Sequence, residues 1–118
     1  MTLQQAYDKF GGDYKLALTR LPGDAFVSRF AKKFLDDKSF LQLSDALFSG
    51  DSEAAFRAAH TLKGVAANLS FAVLYEKSET ITEALRGADD VSAALPLFPE
   101  VKEAYDNTVS VLKEFFGM

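Results

Sequence analysis

Apolar residues recur three or four positions apart along almost the whole chain, and no alternating run of Val, Ile, Thr or Tyr lies between hairpin dipeptides. A strand buries every second side chain and a helix every third or fourth, so this spacing commits the chain to an all-α fold. Breakers then divide it. Leu3 to Phe10 reads as a short helix closed by Gly11 and Gly12, and Asp13 to Leu21 as another stopped by Pro22 and Gly23. Residues 1–22 are expected to form an N-terminal helical appendage. From Asp24, Phe26, Phe30 and Phe34 step four at a time with Val27, Ala31 and Leu35 beside them, an apolar stripe read as the core face of a helix reaching about Asp37. Ser39 with Gln42 matches a capping box opening Phe40 to Phe48. Gly50 and Asp51 stop that helix and start the next, an Ala-rich run from Ala54 to Leu69. Ser70 is the expected N-cap of Phe71 to Arg86, where Phe71, Leu74, Ser78, Ile81 and Leu85 share one side before Gly87. After a connection over Asp89 to Leu95, Pro99 opens a last helix striped by Val101, Tyr105, Thr108, Val109, Leu112 and Phe116.

A chain of 118 residues without internal repeat or linker is read as one domain, 1–118, whose bundle core spans 24–116. An antiparallel four-helix bundle with the short helical N-terminal extension is the economical packing. Thirteen Lys and Arg against 17 Asp and Glu leave a net charge of −4 with no basic block, which argues against a nucleic-acid partner bound through phosphates. With no cysteine, thiolate nucleophiles and Cys-based metal sites are excluded. No apolar run approaches the length of a spanning helix and no signal-peptide pattern opens the chain, so no membrane insertion and a cytoplasmic location are expected. A monomer is expected too, since bundle packing accounts for the stripes.

The single histidine, His60, is the informative residue. At about 100° per residue, Ala58, Leu62, Val65 and Leu69 fall roughly opposite it, between about 140° and 200°, with Ala55 and Ala66 slightly beyond. His60 is therefore expected on the solvent face, with Glu53, Phe56, Lys63, Gly64 and Ala67 on its own side. Imidazole has an unperturbed pKa near 6.5, so a histidine in water is mostly neutral and nucleophilic near pH 7. Lys63, one turn on, can reach a phosphoryl oxygen as a point charge. Gly64 costs a helix about 1 kcal/mol relative to Ala, which asks for a reason such as the close approach of a partner. Ala67 leaves the same surface open, and Phe56, exposed on this geometry, can anchor that partner. Singly, each has an ordinary explanation: a surface imidazole, a solvated lysine, a tolerated glycine, a tucked aromatic. They gain meaning from sharing one face.

The run Ala59-His60-Thr61-Leu62-Lys63-Gly64-Val65-Ala66-Ala67-Asn68-Leu69 resembles the signature of histidine-containing phosphotransfer (HPt) domains of two-component phosphorelays. Weaker likeness extends to Phe10-Gly11-Gly12-Asp13, to Phe26 through Leu35, to Gly50-Asp51 and to Leu74-Tyr75-Glu76. The resemblance implies a four-helix bundle that presents the imidazole to solvent. It implies that His60 is the phosphoacceptor, that Lys63 is the phosphate-adjacent lysine and that Gly64 is the small residue admitting a receiver domain. Two positions depart from the pattern: Ser70 replaces a usual Gly, and Val65 a frequent Ser, an apolar residue that suits a core-facing position. A polar neighbour of the imidazole, present in some members, has Gln42 and Asn68 as weak candidates.

The expected function is a phosphohistidine carrier that shuttles a phosphoryl group between receiver-domain aspartates, without autokinase activity, since no glycine-rich phosphate loop is present. Response-regulator receiver domains and a hybrid sensor histidine kinase are the implied partners. No cofactor is expected on this chain, and the divalent metal belongs to the receiver. Glu53, Phe56, Arg57, Ala67, Asn68 and Phe71 are the candidate docking residues. A phosphoacceptor of the chemotaxis-kinase kind shares the same short signature. From another class, the alternative is a non-catalytic helical adaptor that binds a receiver or kinase without accepting phosphate.

Overall fold

The computed structural model describes residues 1–118, all of the chain, and contains helices and no strand. Seven α-helices run in order: α1 Leu3–Phe10, α2 Tyr14–Arg20, α3 Asp24–Phe34, α4 Ser39–Ser49, α5 Ser52–Leu69, α6 Ala72–Leu85 and α7 Phe98–Phe116, the last preceded by a 3₁₀ turn at Leu95–Leu97. The bundle consists of α4, α5, α6 and α7. Tight turns at Gly50–Asp51 and Ser70–Phe71 make α5 antiparallel to both of its neighbours, and α6 packs in turn on α7. No helix is long and apolar enough to cross a membrane.

Residues 1–22 are not an appendage. Leu3, Ala6, Tyr7 and Phe10 are buried in the same core as Leu62, Leu74 and Leu112, and α1 lies along α7. The segment also closes the C-terminal end of α5, whose last carbonyls have no partner within the helix. The Tyr7 hydroxyl donates to Leu69 O at 2.7 Å, Asp13 N–H to Ser70 O at 2.8 Å and Arg20 Nη1 to Ala67 O at 2.8 Å. Burial pushes the Tyr7 phenol well above the usual tyrosine pKa, so it stays a donor. Gly11 is required at its own position: it has φ of +78°, and a Cβ there would lie 2.4 Å from Val73 Cγ2.

The aromatic stripe of α3 does not form the core face either. Val27, Ala31 and Phe34 are buried, whereas Phe26 and Phe30 are 40% and 38% exposed and stack on each other. An i, i+4 spacing drifts about 40° per step, so a row of three phenylalanines cannot all face one seam; the row Val27–Ala31–Phe34, stepping four and then three, does. The helix ends at Phe34 rather than near Asp37. The expected capping box is absent: α4 starts at Ser39 itself, which is buried, and Asp37 Oδ1 accepts from both its N–H and its hydroxyl.

Ser70 caps the other way round. It is the αL residue ending α5, with φ of 55°, and Phe71 takes the N-cap position of α6 without any side-chain cap bond. A non-glycine residue in this region carries strain, and the Ser70 hydroxyl is buried without a hydrogen-bond partner. Ser70→Gly is therefore expected to stabilise the fold by about 0.5–1 kcal/mol, after the added chain entropy of glycine is offset. Thermal unfolding checks this: Tm should rise by a few degrees.

Candidate functional site

Helix α5 builds the site. The Asp51 carboxylate accepts from Ala54 N–H at 3.0 Å and caps its first turn. The Ser52 hydroxyl reaches Ala88 O at 3.1 Å, which ties the start of α5 to the turn after α6. Ala55, Ala58, Ala59, Leu62, Ala66 and Leu69 form the buried face. His60 points the other way and is exposed, as the helical geometry requires. Val65, expected in the core, is only half-buried because it sits at the edge of the α5 seam, above a groove of about 580 Å³ that also takes in Leu21, Phe30 and Asn68.

Around His60 the surface is open on one side and built up on the other. Gly64 is exposed, and a Cβ placed on it meets nothing within 4 Å, so no helix crossing accounts for it. Lys63 and Ala67 are half-buried beside it and Asn68 is exposed. On the built-up side the Phe56 ring lies nearly parallel to the imidazole, 13° apart in plane with centroids 5.9 Å apart. Phe56 is half-buried rather than exposed, because Arg86 from the end of α6 lies over its ring at 5.0 Å. Arg86 in turn grips Glu83, Nε to Oε2 and Nη2 to Oε1, each at 3.1 Å. The guanidinium holds the Glu83 carboxyl below the usual carboxylate range, with a further pull from Lys63 and His60. Glu83 thus shares the electrostatic field of both.

Glu53 and Arg57 are exposed and pair with each other one turn apart, at 3.2 Å. Phe71 is no docking residue: it is fully buried, with its ring against Tyr7, Phe10 and Phe34. The left-handed turn at Ser70 swings it inward. Gln42 lines a groove with Arg57 and Thr61 on the α4 side of α5. Glu83 and Arg86 are the site residues that sequence reasoning did not reach. Their spacing reads only as a local i, i+3 ion pair, and nothing local places the end of α6 against Phe56.

A family model of the Hpt domain matches residues 37–111, more than half of the chain, including all of α4, α5 and α6 and His60. The chain belongs to the Hpt domain family. Neither a curated protein nor a solved structure matches it. Hpt domains serve phosphotransfer in two-component systems and meet receiver or kinase partners there, and their helical-bundle fold is the one described above. The match begins just before α4, so α1 to α3, which close the core and the end of α5, lie on its N-terminal side.

Proposed function

We propose that this Hpt domain carries a phosphoryl group on His60 between receiver-domain aspartates in a phosphorelay. The observation that carries the reading is the exposed imidazole on the solvent face of α5, beside Lys63 and the open surface at Gly64. One ring nitrogen attacks the phosphorus of an aspartyl phosphate, the P–O bond breaks and the aspartate carboxylate leaves. The imidazole then loses its other N–H proton to water, and onward transfer runs the same steps in reverse. Positioning and charge neutralisation supply most of such a transfer. Lys63 contributes a cation on this side, and the divalent metal belongs to the receiver's acidic pocket. Glu53, Phe56, Arg57, Ala67 and Asn68, spread along α5 on either side of His60, contact the receiver in this reading.

Incubation with purified phosphorylated receiver domains tests it, read as acid-labile phosphate on the chain. Labelling of wild type but not of His60→Gln supports the relay. A folded chain that binds a receiver yet takes no label from any would instead make it an adaptor.

Gly64 provides a second check, because its two expected effects have opposite signs. Gly64→Leu should stabilise the fold by about 0.5–1 kcal/mol, since α5 gains helix propensity and a Cβ there projects into open space. The same side chain stands where the receiver approaches, so transfer should slow at least about tenfold, as expected when a well-packed contact is lost. Transfer at the wild-type rate in the more stable variant would remove open access as the reason for Gly64.

A further inference from the structure

His60 and Arg86 share one aromatic ring: the imidazole stacks near Phe56 and the guanidinium lies over it. In the free protein Arg86 spends its two forward donors on Glu83. That pair is exposed on both sides, 54% and 55%, so it adds little stability and is cheap to open. A phosphoryl group on His60 changes the competition. It brings close to two negative charges and three acceptor oxygens, and a guanidinium fork fits such a group as well as it fits a carboxylate. Glu83 then carries the wrong charge for its position, since it faces the new dianion, and Lys63 only partly offsets that repulsion.

We propose, resting on the reading of His60 as phosphoacceptor, that Arg86 is a second cation of the site held in reserve by Glu83. It is clamped to the carboxylate and steadied by Phe56 while His60 is unmodified, and it passes to the phosphoryl oxygens when His60 is phosphorylated. Both groups flank the Phe56 ring and Glu83 lies in the field of His60, so the exchange stays within one patch of surface. The consequence is a longer-lived phosphohistidine. In hydrolysis, water adds its oxygen to phosphorus, the P–N bond breaks and the imidazole leaves carrying a proton. A cation at the phosphoryl group opposes that protonation, and a free carboxylate favours it. Glu83 and Arg86 therefore set the lifetime of the intermediate in opposite directions.

The test uses the whole chain, phosphorylated chemically with phosphoramidate, whose own P–N bond breaks with loss of ammonia as the imidazole takes the phosphoryl group. Decay is followed by phosphorus NMR. Arg86→Ala should shorten the half-life about three- to tenfold, the loss of one charge-assisted contact at an exposed site, with Arg86→Lys in between. Glu83→Gln should lengthen it. The decisive comparison is made in the Glu83→Gln background: if Arg86 reaches the phosphoryl group, Arg86→Ala still shortens the half-life there. If Arg86 only neutralises Glu83, the substitution has no effect in that background, and the handover is wrong. Equal half-lives in all variants overturn it as well. Should Arg86→Ala fail to fold, the same comparison is made with Arg86→Gln and Arg86→Lys. A wild type that labels chemically but receives nothing from any phosphorylated receiver sinks the relay reading alone, and the half-lives still judge the handover.

Discussion

His60→Gln will fold as the wild type does and take up no phosphoryl group. Glutamine has no nucleophilic ring nitrogen, so acceptance should fall to background in the receiver assay rather than decline by a factor. The folded state has little at stake. His60 is exposed, its contact is a partial stack on Phe56, and a substitution at such a surface position shifts stability by less than about 0.5 kcal/mol. Glutamine also keeps the helix, being among the better helix formers. Urea unfolding of both proteins, run beside the transfer assay, separates the two effects. An unstable variant would mean that the imidazole contributes to the core, against its position. A stable variant that still labels would place the phosphoryl group on another residue.

Leu62→Ala is expected to do the reverse. Leu62 is fully buried on the face of α5 opposite His60, in the core shared with α4 and α6. Truncation removes three carbons and leaves a cavity between rigid helices, a change worth about 2–5 kcal/mol. Against a total stability of about 5–15 kcal/mol for a domain of this kind, that is a large fraction. Tm should fall by roughly 8–20 °C. At a temperature where both proteins are folded, transfer per folded molecule should match wild type, because none of the groups around the imidazole has been touched. A loss below about 1 kcal/mol in denaturant unfolding would mean that the core closes around the missing atoms.

Both predictions come from one helix with two faces, and that much was legible locally. The alternation of Ala55, Ala58, Leu62, Ala66 and Leu69 with His60, Lys63 and Gly64 depends only on 3.6 residues per turn. Helix ends written in side chains of special conformation were also readable. Gly11 and Gly50 both adopt the left-handed conformation, and Asp13 and Asp51 both cap with their carboxylates. Ser39 and Ser70 misled for a shared reason. A serine favours several cap geometries, and the choice among them is made by what packs around it. Asp37 and burial decide at Ser39, and the N-terminal segment laid over the α5–α6 turn decides at Ser70.

Phe71 and the phenylalanines of α3 show the same limit from the apolar side. Hydrophobicity says that a ring prefers burial, yet Phe71 is in the core while Phe30 stays partly in water, because the position of neighbouring helices allots the space. The sequence alone therefore determined that the chain is helical, where most helices end, and that His60 stands on the outer face of its own, since each of these follows from contacts within four residues. Only the tertiary structure decided that residues 1–22 belong to the core, that Phe71 is unavailable to a partner, and that Arg86, paired to Glu83, lies over the ring that the imidazole stacks on. Those depend on how helices far apart in the chain cross, and no local period records a crossing.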